Sequence, residues 1–395
     1  MKNFLLNHRT EVTISGLIVL SSILGIIALS VLPSFPVIAD SIKYDTLAKH
    51  LLSDGTYLYL EGIIYSPGYP VFLSFVYGLF GTAFNTVYAI QFLLLGATSA
   101  FIYLIAYRQL SLPYWVSLGV ALMVMFWPYM ILYSMLLMTE VLYIFFIVST
   151  AYFLMNFSKE LDLRSGITAG VLLGVATLIR PIVILLPFWV IFFFILFYRK
   201  KVLMNKLAIK RVVIAVLAFL IVLTPWTLYN YHRTGVFSPV NSTLPLVMNK
   251  AYNTLSYEDE YKAEEVTSQD REAGLTEIIG SKVRNFFVFW NPGAGGYQAE
   301  QLLEKYPQVK YLILLYKIGF FVILTAAFLS LLLPWNKRMM VLWLIVLYVW
   351  ALHTVLFPYP RYTLPIIPLV ILLASYTFVH REMLGTRCRG LKERF

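Results

Sequence analysis

The sequence predicts an all-α polytopic membrane protein, on three observations. Of its 395 residues, 60% are hydrophobic and only 13% charged, whereas ordinary globular chains are closer to half apolar. Mean hydropathy is +0.76. The apolar residues also gather in runs long enough for a tilted crossing of a hydrocarbon core about 30 Å thick. These runs lie at about 14–33, 84–107, 113–131, 139–157, 166–180, 181–198, 211–229, 309–334, 338–356 and 360–380. They predict about ten transmembrane helices in a single domain over 1–395, with the pair 166–180 and 181–198 the shortest.

Taken in order, the first run spans and has no small-residue cleavage pattern after it, so it reads as an anchor and not as a removable signal. The first outer loop, 34–83, then places polar residues directly after that span. Asp40, Tyr44, Ala48 and Leu52 recur every four residues and share one stripe of a helix that starts at Asp40 or Ser41. Lys43 and Lys49 flank the stripe. Ser66-Pro67-Gly68-Tyr69-Pro70 opens a further apolar helix, since proline is best tolerated in a first turn. The run 70–80 is too short to span and reads as interfacial. Asp40 has two compatible readings, a helix N-cap and a functional carboxylate, because a capping carboxylate keeps a second oxygen free. Asp45 lies one position off the stripe, pairs naturally with Lys49 and is the second choice.

Orientation follows the basic residues. With the N-terminus inside, more than half of the 31 lysines and arginines fall on the inner side with only five acids (Glu11, Glu160, Asp162, Glu382, Glu393). Both termini are therefore expected in the cytoplasm, and the polar motifs outside a plasma membrane. The net charge of +11 follows the membrane topology, so nucleic acid is not the expected partner. The single cysteine, Cys388, excludes an intrachain disulfide and a cysteine-based metal site. No P-loop, dinucleotide glycine fingerprint, His-Glu-x-x-His or His/Cys cluster is present. A second outer loop, 230–308, holds an acidic stretch at 257–272, an amphipathic helix near 276–289 and a turn-rich segment from Trp290. About eighty residues bury little core of their own, so this loop is expected to pack on the membrane domain.

Four outer clusters could join Asp40. Glu140 begins the fourth span in apolar surroundings, where the helix dipole alone would favour an acid. Arg180 is fixed before Pro181 between two short spans, suited to an anion although surface arginines also snorkel. Trp226 and Asn230 sit where the chain leaves the membrane after Pro225, a place that an aromatic belt would also explain. Arg361 and Tyr362 lie among prolines at the outer rim. Two such arginines with Lys43 or Lys49 would form a cationic pocket for a phosphate. Lys317 lies inside the eighth span, either facing that pocket or snorkelling outward. His353 reads as a satisfied polar residue, not a ligand.

Asp40 with Tyr44, Pro67-Gly68-Tyr69-Pro70, the region of Ser134 and Thr139-Glu140, Leu178-Ile179-Arg180-Pro181, Pro225-Trp226-Thr227-Leu228-Tyr229-Asn230 and the run 360–368 form, in this order, a set that resembles the GT-C glycosyltransferases related to protein O-mannosyltransferases and bacterial lipid A aminoarabinose transferases. The resemblance implies transfer of a sugar from a polyprenyl-phosphate donor to a lipid, glycan or protein acceptor on the extracytoplasmic face. It makes Asp40 the catalytic aspartate, with Glu140 and Asp45 the other acids. Arg180, Arg361, Lys43 and Lys317 would serve the donor phosphate, and Tyr44, Tyr69, Trp226, Asn230 and Tyr362 the substrates. Ser41 stands where the family pattern has a second acid, and Tyr229 where relatives often carry arginine. No cofactor is required by a single displacement that inverts the anomeric centre, although Asp40 and Glu140 could share a divalent ion. The rival class is a secondary transporter or a flippase for lipid-linked sugars, which would show repeated halves and broken midplane helices. An inactive scaffold or assembly subunit is a third reading.

Overall fold

In lipid, backbone N–H and C=O groups can bond only to one another, and the long apolar runs accordingly fold as helices. The computed structural model describes residues 2–32, 35, 37, 40–58, 64–203, 205–243, 248, 274–291, 309–333, 337–356 and 358–383. The acidic stretch 257–272, the turn-rich segment beyond Asn291 and the tail with Cys388 lie outside the described residues. The helices are α1 (Lys2–Val31), α2 (Asp40–Asp54), α3 (Gly68–Phe80), α4 (Phe84–Leu104), α5 (Tyr114–Met125), α6 (Pro128–Ser134), α7 (Glu140–Glu160), α8 (Leu163–Ile179), α9 (Leu186–Leu203), α10 (Lys206–Thr234), α11 (Leu275–Val288), α12 (Val309–Leu329), α13 (Lys337–Val355) and α14 (Ile367–Val379). A 3-10 turn, Pro360–Ile366, leads into α14.

Among the described residues seven helical segments are long and apolar enough to cross a membrane, or eight if α5 and α6, bent by 50° at their junction, form one span. The expected count of about ten is not reached on these terms, and proline is the reason in each case. The run 113–131 breaks where Pro128 cannot continue α5 and instead starts α6. The runs 166–180 and 181–198 become the 17-residue α8 and a short turn, Pro181–Val183, before α9. Both are apolar helices below the length of a full span. The segment 68–80 is the short apolar helix expected of it.

Lipid tails are as apolar as leucine, so helices in a bilayer associate through close packing of small residues. Gly166, Gly170 and Gly174 recur every four residues on α8. A Cβ on Gly170 would lie 2.2 Å from the carbonyl oxygen of Ala215, so α8 and α10 pack backbone to backbone there. Side chains of α4, α7, α13 and α14, among them Phe92, Tyr143, Ile345 and Leu372, fill the centre of the bundle.

The loops 34–83 and 230–308 are tied to each other, through their described residues, at one end of the bundle. The Ser242 amide donates to the Ile64 carbonyl at 3.0 Å, and the Ile64 amide donates to Ser242 Oγ at 2.9 Å. Asn241 Nδ2 donates to Ser66 Oγ at 3.1 Å. The end of α10 holds the same segment, with Trp226 Nε1 donating to the Val240 carbonyl at 2.6 Å and Asn230 Nδ2 to that of Ser238 at 3.2 Å. Basic residues close the opposite end: Arg211 donates to the Leu161 carbonyl at 2.7 Å, Arg338 to that of Gln109, and the Arg9 guanidinium lies 3.5 Å from the Tyr114 ring centroid.

Candidate active site

Four element ends deliver the charged groups to one place. Asp40 and Glu140 are the first residues of α2 and α7, where the positive end of the helix dipole favours an acid. Arg180 follows the last residue of α8 with an extended backbone (φ −139°, ψ 117°), the conformation that the following proline imposes. Arg361 lies in the 3-10 turn before α14.

These groups form two ion pairs of different character. Arg180 Nη2 lies 2.6 Å from Glu140 Oε1, and Arg180 Nε donates to Thr139 Oγ1 at 2.7 Å. The Glu140 side chain is 0% exposed and that of Arg180 17%. Arg361 Nη2 lies 3.2 Å from Asp40 Oδ2, in a pair whose side chains are 30% and 39% exposed. A partly exposed pair is worth about 0–1 kcal/mol, whereas removing one member of a buried pair costs about 3–5 kcal/mol. The Arg180–Glu140 pair is therefore fixed, and Arg361 can exchange Asp40 for an incoming anion. Arg361 also has a buried Nε with no hydrogen-bond partner among the described residues. An anion that takes Arg361 leaves Asp40 free to accept a proton. No backbone amide among the described residues donates to the Asp40 side chain, whose hydrogen bond is with Arg361.

Aromatic side chains line the pairs. Tyr362 lies 5.9 Å from the Arg180 guanidinium and 5.7 Å from that of Arg361, measured to its ring centroid. Tyr359 and Tyr143 flank Arg361 and Arg180 at 5.7 and 5.6 Å. Tyr44, one turn after Asp40, meets Tyr69 edge-on at 5.3 Å. Burial, and then the negative charge of Asp40, push the Tyr44 hydroxyl well above its ordinary pKa, so it stays a hydrogen-bond donor. Tyr69 donates to Gln91 Oε1 at 2.9 Å, and Gln91 Nε2 donates to the carbonyls of Ser134 and Leu136 at 3.1 and 2.8 Å. Gln91 thus satisfies carbonyls at the end of the broken span.

Gly68 fixes the approach of the first loop. A Cβ there would lie 2.7 Å from the Ile179 amide nitrogen and 2.8 Å from the Leu178 carbonyl carbon, immediately before Arg180. Gly68→Ala is expected to displace Arg180 and lower turnover about tenfold or more, since misplacement by about 1 Å can cost 10²-fold. Steady-state turnover with melting as a control reports it, and wild-type turnover would remove Gly68 from this role.

The remaining candidates sit as follows. Both Asp45 oxygens are engaged, one by Tyr77 OH at 2.8 Å and the other by Lys49 Nζ at 2.7 Å. Lys43 Nζ lies 5.4 Å from the Tyr65 ring centroid, on the loop side of the site. Trp226 stacks on Tyr229 at 5.5 Å and meets Tyr57 edge-on at 4.8 Å. Asn230 is buried with its Oδ1 unpartnered among the described residues. Lys317 is half-buried on α12 beside the exposed Leu314, Leu315 and Ile318, and makes no ion pair with the described residues. Thr139 and Tyr359, members of the outer clusters around Glu140 and Arg361, lie at the site, and Tyr143 and Gln91 belong to it or its support without having been singled out. The spacing of Tyr143, one turn beyond Glu140, was the available signal. Among the described residues no three His, Cys, Asp or Glu side chains converge as a metal site.

Residues 65–229 match the family described as dolichyl-phosphate-mannose-protein mannosyltransferase. The fold is shared with the crystal structure of ArnT from Cupriavidus metallidurans bound to undecaprenyl phosphate, at a TM-score of 0.60 and 13% identity over 95% of this chain and 63% of that one. Its apo state gives a TM-score of 0.57 and 15% identity, over 95% and 62%. This chain thus spans less than two thirds of the length of those structures. No curated protein matches by sequence.

Proposed function

We propose that this chain, which has the GT-C fold, is a membrane glycosyltransferase that takes a sugar from a polyprenyl-phosphate donor. The observation that carries the reading is the unequal pair of arginines, one locked by Glu140 and one held loosely by Asp40, gathered at one end of the bundle. Transporters place their polar groups near the midplane. A lipid-borne donor would enter sideways and set its phosphate on Arg361 and Arg180. Asp40, released from Arg361, would accept the acceptor's hydroxyl proton as that oxygen attacks the anomeric carbon. The bond from that carbon to the phosphate oxygen breaks, and the phosphate leaves with the electron pair, its charge held by the two arginines. A single displacement inverts the anomeric centre.

Asymmetry of basic residues supports cytoplasmic termini and an extracytoplasmic site in a plasma membrane, within one transmembrane domain with loops 34–83 and 230–308. The acceptor is a lipid, glycan or protein hydroxyl, and no cofactor is required. Arg361→Ala is expected to raise the donor KM by about 10- to 100-fold while the acceptor KM changes little, because a charge-assisted contact to phosphate contributes roughly 1.5–3 kcal/mol. Donor kinetics on purified protein, before and after dialysis against EDTA, check both points. An unchanged donor KM would contradict the phosphate assignment. Loss of activity on dialysis would point to a divalent ion shared by Asp40 and Glu140.

A further inference from the structure

We infer that His353 is a positioning residue for the two arginines and couples them to the second outer loop. Its imidazole stacks on Tyr362 with ring centroids 4.5 Å apart and planes 23° apart. Behind it Phe289 stacks on the same imidazole at 5.7 Å and 20°. Phe289 is fully buried and His353 is 7% exposed, and the column they form ends at the half-buried Tyr362, the ring shared by both guanidinium groups at 5.9 and 5.7 Å.

The column is anchored from outside the site. Phe289 directly follows α11, and α11 is fastened to the end of α13, the helix that carries His353. Trp350 Nε1 donates to the Phe286 carbonyl at 3.0 Å, and the two rings lie 4.2 Å apart. Lys282 Nζ and Asn285 Nδ2 donate to the carbonyls of Leu356 and Thr354, each at 3.4 Å. A Tyr362 ring backed in this way cannot tilt without opening a cavity behind it. The Tyr362 ring in turn packs on Arg361, whose ion pair with Asp40 is the exchangeable one. Without the column, part of the binding energy of an anion would go into ordering Arg361. What the column requires of residue 353 is a flat ring, not an imidazole nitrogen.

This inference rests on the donor-phosphate reading above, and its test keeps the two apart. His353→Leu, which keeps bulk but not the flat ring, and Phe289→Leu are expected to raise the donor KM and the Kd for undecaprenyl phosphate about three- to tenfold. The kcat should stay within about twofold, since the reacting groups are intact. His353→Phe restores the flat ring and should return both constants close to wild type. Arg361→Ala is measured alongside. Wild-type constants in both leucine variants, or His353→Phe as impaired as His353→Leu, would overturn the positioning role. Undiminished donor use by Arg361→Ala would overturn the phosphate reading itself. Thermal melting of each variant separates either result from a folding defect.

Discussion

Asp40→Asn is expected to fold, to bind undecaprenyl phosphate at least as tightly as the wild type, and to lose transfer by a factor on the order of 10²–10⁴. Asparagine preserves the volume and caps helices about as well as aspartate, and no backbone amide among the described residues relies on the carboxylate. What it removes is the ability to take a proton. It also removes the competitor for Arg361 Nη2, now 3.2 Å from Asp40 Oδ2, together with a negative charge beside the incoming phosphate. An aspartate that merely paired with Arg361 would give the tighter binding without the lost turnover, so the combination marks a base. Equilibrium binding and single-turnover transfer on the same preparation measure the two effects. An active Asp40→Asn would refute the base assignment. The other acids would then have to be freed from existing partners, Asp45 from Tyr77 and Lys49, and Glu140 from Arg180.

Glu140→Ala is expected to destabilise the protein by about 3–5 kcal/mol, because Arg180 would be left largely buried without its counter-charge. The loss should be visible as a lower melting temperature in detergent and as a poor yield. The double variant Glu140→Gln with Arg180→Gln removes both charges and is expected to recover most of that stability, but not transfer, since the fixed phosphate contact is gone. Stability and activity therefore separate in this pair. If Glu140→Ala melted like the wild type, the pair would not be the rigid half of the site. If the double variant transferred normally, Arg180 would have no part in donor binding.

Much of this was legible in the sequence because membrane physics is read from composition and run length. The α-helical spans, the short apolar helix at 68–80 and a helix starting at Asp40 all follow from apolar runs and proline placement. The span count was not, because it depends on what a proline does within an apolar run. Pro128 bends one run by 50°, and Pro181 cuts two others into short pieces. The charged residues of the site were recognisable as types out of place in an apolar chain. Their pairing was not: nothing local indicates that Arg361 faces Asp40, 321 positions away, while Arg180 faces Glu140. Aromatic residues gave the weakest signal, since tyrosine and tryptophan at a membrane rim read first as a belt. His353, a lone histidine about two turns before Arg361, reads as a satisfied polar residue, and its ring stacks become visible only in three dimensions.

Purified wild-type and Asp40→Asn proteins, incubated with radiolabelled polyprenyl-phosphate sugars and a membrane extract, decide whether this chain transfers sugar at all. A labelled lipid, glycan or protein that forms with the wild type, requires a polyprenyl-phosphate donor and is absent with Asp40→Asn is the expected result. No labelled product from any such donor with well-folded wild type, or equal labelling by the two proteins, would contradict it.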